Sequence, residues 1–165
     1  MSAIDQDRGR NSHASRRLYT DAERARRDAT PWTMVQGVLA PLQFLIFLVS
    51  LALVVRYLMT GSGYEAAALS VVLKTAVLYL IMVTGAIWEK VVFGQYLFAP
   101  AFFWEDVFSF LVIGLHTLYL YALFAGTAGP EMVMWIALAA YAAYVVNAGQ
   151  FLWKLRLARL EGELA

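Results

Sequence analysis

The chain has no cysteine. That excludes disulfides, thiolate-bound zinc and iron–sulfur clusters held by their usual ligands. Histidine is almost as scarce: His13 and His116 are the two present, and His13 lies in a polar N-terminal stretch. A bis-histidine haem or a protein-held zinc site within one chain is therefore not expected. Charge is thin as well, at 15% of residues against 61% hydrophobic ones. A soluble domain of this length has no use for so much apolar surface, so the composition places the chain in the membrane class, as one domain.

The few charges are placed unevenly. Arg8, Arg10, Arg16, Arg17, Arg24, Arg26 and Arg27 precede the first long apolar segment, and Lys154, Arg156 and Arg159 follow the last. Basic flanks beside a span mark the cytoplasmic side and a lipid surface rather than a nucleic acid. The first apolar segment starts too late and runs too long for a cleavable signal peptide.

Four spans are read from the hydropathy. Residues 1–17 are expected to be a disordered polar tail. Residues 18–30 should form a short basic juxtamembrane helix, opened by a capping box between Thr20 and Glu23. Residues 31–160 are expected to be a membrane domain with spans at about 33–58, 65–92, 105–125 and 131–154. Thr30 and Pro31 restart the helix, Pro41 should bend the first span, and Gln36, Gln43 and Ser50 recur every seventh position as one polar stripe. The expected fold is all-α, an integral membrane four-helix bundle with both termini cytoplasmic. The connection between the second and third spans then faces the cytoplasm too.

That connection holds the chemistry. Glu89, Lys90, Glu105 and Asp106 are the charges between the middle of the second span and the end of the third, and Trp88, Phe93, Tyr96, Phe98, Phe102, Phe103 and Trp104 surround them. Acids beside flat apolar faces suit a large planar molecule and a proton transfer. Within the spans, Lys74 either snorkels to the outer headgroups or is buried, and His116 lies roughly 16 Å from Glu105 along one helix face. Asn147 and Gln150 point amides inward from the last span. With Gln36 and Gln43 they suggest a polar-lined interior, and helix–helix contacts are the plainer role for these amides. The charged pairs also have a plain alternative as interfacial charges or a salt-bridged corner.

The stretch from Val83 to Val107, with Trp88-Glu89-Lys90 near one end and Phe102-Phe103-Trp104-Glu105-Asp106 near the other, resembles the bacteriochlorophyllide C3-vinyl hydratases of phototrophic bacteria. So do Arg26 to Phe44 and Tyr144 to Arg156, and the likeness extends from about Leu18 to Leu160. The resemblance implies addition of water across the C3 vinyl group of a chlorophyllide or bacteriochlorophyllide, giving a 1-hydroxyethyl group. It implies a bacterial inner or intracytoplasmic photosynthetic membrane, and partners that include the lipid bilayer, further copies of the chain or other pigment-biosynthesis enzymes. No cofactor is expected, because the magnesium belongs to the tetrapyrrole substrate.

The resemblance transfers no residue roles, so these follow from chemistry. A carboxyl group away from water keeps its proton to higher pH. One of Glu105, Asp106 and Glu89 is expected to protonate the vinyl group while a second, ionised one positions water. Glu105 and Asp106 rank above Glu89, which Lys90 is expected to hold as a structural pair. Trp88, Trp104, Phe103 and Tyr96 are expected to contact the macrocycle, Lys90 or the arginine tail its propionate, and His116 its magnesium as an axial ligand, with water or a carboxamide as the alternative. Gln36, Gln43, Lys74 and Asn147 complete the expected binding set. Two other classes compete. A non-enzymatic pigment carrier or accessory subunit of a photosynthetic complex leaves the acids without a task. A proton-coupled exporter calls for a lone acid near mid-span.

Overall fold

The computed structural model describes residues 18–163. The tail 1–17, expected to be disordered, and His13 lie outside them. The described chain is five helices: α1 Asp21–Ala29, α2 Pro31–Thr60, α3 Tyr64–Phe93, α4 Phe103–Ala125 and α5 Pro130–Glu163. Among the described residues the last four are long and apolar enough to cross a membrane, where a helix satisfies its own backbone.

The helix ends follow from local chemistry. The capping box forms: the Thr20 amide donates to Glu23 Oε2 at 2.7 Å, and the Glu23 amide to Thr20 Oγ1 at 3.3 Å. Thr30 Oγ1 accepts from the Trp32 amide at 3.4 Å, and Pro31 occupies the first turn of α2, where a missing N–H costs nothing. Pro41 lies within α2, which runs on past it to Thr60. Helices α2, α3 and α4 run to within a few residues of the stretches read as spans, and α5 continues past Lys154 to Glu163.

Short turns make two antiparallel hairpins, with the closest packing of α2 on α3 and of α4 on α5. Phe47, Val54, Val71, Val112, Tyr119, Met134 and Tyr141 fill the space between them. Ala67, Ala137 and Ala140 are sealed, and small residues of this kind let helices approach closely. Leu45, Leu69 and Phe124 are among the apolar side chains left exposed on the outside.

The segment 94–102 connects the hairpins across one end. Gly94, at φ +86°, ends α3 in the left-handed conformation that glycine adopts without strain. A second apolar cluster forms there around Tyr19, Val92 and Phe102, with Trp88, Phe93 and Phe151 against it. Tyr19 stacks on Phe93 at 5.7 Å, and Phe102 on Phe151 at 6.0 Å. Arg26 Nε donates to the Val92 carbonyl at 2.8 Å, tying α1 to the end of α3. The start of α1, the connecting segment and the later turns of α5 thus meet at one end of the bundle.

Candidate active site

Three of the four charges singled out from the sequence are buried at that end: Glu89 is 6% exposed, Glu105 4% and Asp106 3%. Glu89 sits in the last turns of α3, Glu105 and Asp106 in the first turn of α4, and the connecting segment folds back over them.

Glu89 and Asp106 form a pair. Their carboxyl groups lie close enough to interact, and a hydrogen bond between them would need a proton on one of them, since a carboxylate only accepts. The connecting segment donates to both. The Phe98 amide reaches Asp106 Oδ2 at 2.7 Å, and the Ala99 amide reaches Glu89 Oε2 at 3.3 Å. Phe98 adopts φ +60°, the one non-glycine positive φ among the described residues. A left-handed phenylalanine costs roughly 1–3 kcal/mol, and here that conformation accompanies an amide aimed at the carboxyl pair.

Glu105 has different company. Its Oε1 lies 3.6 Å from Lys154 Nζ, and its Oε2 is buried without a hydrogen-bond partner. Lys154 also donates to the Ala101 carbonyl at 2.5 Å, so one side chain from α5 holds both the connecting segment and Glu105. Asn147 Nδ2 donates to the Glu105 carbonyl oxygen at 2.9 Å, and Ser109 Oγ to Asn147 Oδ1 at 3.2 Å. The expected Glu89–Lys90 pairing is corrected: Lys90 is exposed, donates to the Gly94 carbonyl at 2.7 Å, and lies over the Tyr96 ring at 5.3 Å. Lys90 caps its helix, and the lysine beside an acid is Lys154.

The aromatic set divides in two. Trp88 faces inward, its Nε1 donating to Thr33 Oγ1 at 2.9 Å and its ring edge-on to Phe93 and Phe102. Phe98, Phe103, Phe110, Trp104 and Tyr96 face outward. Phe98 stacks on Phe110 at 5.5 Å and 12°, and Phe103 lies 5.7 Å from Phe98 and 5.5 Å from Trp104. This outer aromatic face adjoins the acid pair through the backbone of Phe98.

The other expected residues are interior. Gln36 Nε2 donates to Thr84 Oγ1 at 2.8 Å, and Gln43 is buried at 3%, as the heptad stripe requires. Lys74 and His116 are sealed at 0% in the middle of the bundle, which decides against a snorkelling Lys74. His116 is separated from the acids by nearly three helical turns of α4.

Lys154 was read from the sequence only as a flanking charge, though its spacing of seven from Asn147 places both on one face of α5. Phe110 and the two connecting-segment amides carried no local signal. Among the described residues no group of three or more acids, histidines or cysteines is arranged to hold a metal ion.

Residues 19–157 match the family model described as 2-vinyl bacteriochlorophyllide hydratase. The chain belongs to this family. It is 76% identical over 144 residues to the 2-vinyl bacteriochlorophyllide hydratase of Rhodobacter capsulatus, covering 87% of this chain and 84% of that protein. It is 72% identical over 151 residues to the protein of the same name from Cereibacter sphaeroides, covering 91% and 93%. No solved structure matches the chain. The matched region takes in the acid pair, Glu105, Lys154 and the outer aromatic face.

Proposed function

We propose that the protein hydrates the C3 vinyl group of a bacteriochlorophyllide-type tetrapyrrole to a 1-hydroxyethyl group, a step of bacteriochlorophyll biosynthesis, and that the carboxyl cluster performs the chemistry. Membership of the hydratase family supports the reaction. The single structural observation that supports the site is a carboxyl pair able to hold one proton, buried beside a third carboxylate with a lysine partner.

The roles follow from these surroundings. The Glu89–Asp106 pair supplies the proton. It goes to the terminal vinyl carbon, which becomes a methyl group, and the adjacent carbon becomes a cation spread into the macrocycle. Water adds to that carbon and gives up a proton, so the net change is one water molecule added. Glu105 is the ionised member, with Lys154 as its countercharge. Its free Oε2 orients the water, accepts the proton and stabilises the cation. Return of that proton to the pair resets the site. Neither carbon chemistry nor proton balance calls for a redox partner, and the magnesium arrives with the substrate.

The planar substrate lies against Phe98, Phe103, Phe110 and Trp104, where its apolar faces meet aromatic rings. The exposed Lys90, beside Tyr96, meets the propionate. Trp88, Gln36, Gln43 and Asn147 act from behind, by packing the wall of the site. His116 belongs to a separate region: the vinyl carbon lies within one ring radius of the magnesium, so a pigment ligated by His116 could not present its vinyl group to acids roughly 16 Å away. The acids lie on the cytoplasmic side of a phototroph's membrane, by the distribution of arginine.

The test is the purified protein in lipid nanodiscs with a 3-vinyl bacteriochlorophyllide, followed by absorption. Loss of vinyl conjugation shifts the long-wavelength band to the blue and adds 18 mass units, about one water. Stoichiometric binding with an unchanged substrate mass would instead identify a pigment carrier.

A further inference from the structure

The middle of the bundle contains a second polar centre that the hydration chemistry does not use. Lys74 from α3 and His116 from α4 are each 0% exposed. Both come near Tyr141 of α5: the His116 ring centroid and Lys74 Nζ each lie 5.9 Å from the Tyr141 ring centroid. Lys74 Nζ also sits over the Tyr144 ring at 3.6 Å. An aromatic face attracts the charge of an amine but leaves most of its N–H donors unengaged.

The unsatisfied atoms are complementary. Lys74 Nζ and His116 Nε2 are both buried without a hydrogen-bond partner. His116 Nδ1 lies 2.7 Å from the Val112 carbonyl oxygen, which can only accept, so Nδ1 carries the proton. In the neutral imidazole this leaves Nε2 with a lone pair. The amine of Lys74 carries donors in either protonation state. A sealed donor and a sealed acceptor each cost about 1–3 kcal/mol when left unpaired, and native interiors rarely tolerate them.

The surrounding polar groups are already committed. Tyr141 OH is 2.5 Å from Ser50 Oγ, and Ser50 Oγ is 2.7 Å from Ser70 Oγ. Thr75 Oγ1 donates to the Val71 carbonyl at 2.8 Å. Tyr119 OH donates to the Ala68 carbonyl at 3.1 Å, and Tyr79 OH lies 2.6 Å from Thr117 Oγ1. These two contacts join α3 to α4.

We propose that Lys74 and His116 together bind an internal water molecule within the membrane-embedded core. The amine donates to its oxygen, and the water donates to His116 Nε2. Such a water satisfies both side chains and links α3 to α4 where the two hairpins meet. This site is independent of the reaction assigned to the carboxyl cluster.

The test is solid-state NMR of the intact, 15N-labelled protein in lipid bilayers, measuring proton polarisation transfer from water. Transfer should reach Lys74 Nζ and His116 Nε2 ahead of the backbone amides of Val71 and Val112, which are as deeply sealed but bonded within their own helices. His116 Nε2 should resonate as an unprotonated imidazole nitrogen. The His116→Phe variant, checked as folded by its retained amide spectrum, should lose the early transfer at Lys74 Nζ. Absence of early transfer at either nitrogen in the native protein, or its survival at Lys74 in the variant, would overturn the shared water. So would a change of the Nε2 signal to a metal-bound position on adding the magnesium pigment.

Discussion

Glu89 and Asp106, on successive helices, meet side chain to side chain beneath a turn of backbone that donates one amide to each. Replacing either acid by its amide retains much of the shape but removes one source of the transferable proton. Glu89→Gln and Asp106→Asn should each lower the single-turnover rate of vinyl hydration by roughly a hundredfold or more. Substrate binding, read separately by fluorescence quenching, should change far less. An unchanged rate in both variants would remove the pair from the mechanism.

Lys154 holds Glu105 and the Ala101 carbonyl at once. Lys154→Met should cost about 1.5–3 kcal/mol of stability, the scale of a lost hydrogen bond to a charged donor, measured as a lower unfolding temperature in detergent. The double variant Glu105→Gln with Lys154→Met should recover part of that loss, because no uncompensated carboxylate remains. Its hydration rate should stay low, at or below the roughly hundredfold deficit expected of Glu105→Gln alone. Recovered activity would show that Glu105 serves only to anchor Lys154.

Phe98 combines a left-handed backbone with a ring on the outer aromatic face. Phe98→Ala and Phe98→Gly both remove the ring, and each should weaken pigment binding by about twofold to tenfold, the worth of one aromatic contact. The glycine variant should be more stable than the alanine variant by about 1 kcal/mol, since glycine adopts this conformation freely. Chemical denaturation of the two variants measures the difference. Equal stabilities would mean that the left-handed turn relaxes without its ring.

Tyr19 is 3% exposed against Phe93 and Phe102, and burial pushes its phenol up from 10 to about 12 despite the opposing pull of Arg27. The docked state therefore prefers the protonated phenol. Its contribution to docking is complete below about pH 10, the ordinary tyrosine value, and is lost as pH rises through about 12. Across that window the docking of α1 should weaken by about a hundredfold. Trypsin cleavage at Arg24, Arg26 and Arg27 should rise accordingly, and Tyr19→Phe should remove the tyrosine-dependent step.

Much of the frame was legible because it is local. Hydropathy located the four long apolar helices, and the Thr20–Glu23 box and the Thr30-Pro31 cap set the starts of α1 and α2 from a few neighbouring residues. The heptad spacing of Gln36, Gln43 and Ser50 placed them on the inner face. The acids were legible as a group, but their partners were not. Lys90 adjoins Glu89 in sequence, yet neighbours on a helix point in different directions, and Lys90 turns back to Gly94 while Lys154 arrives from another helix. The aromatic residues could not be sorted into inner wall and outer face without the path of the connecting segment. That path turns on a left-handed phenylalanine, against the usual steric preference.

The two hairpins contribute one acid each to the carboxyl pair: Glu89 comes with the first and Asp106 with the second. Neither hairpin owns a complete donor. A newly made chain whose second half has entered the bilayer without docking on the first has its acids present but apart. On the proposed mechanism the proton donor is complete only at the last stage of assembly, and a half-built protein should not hydrate the vinyl group.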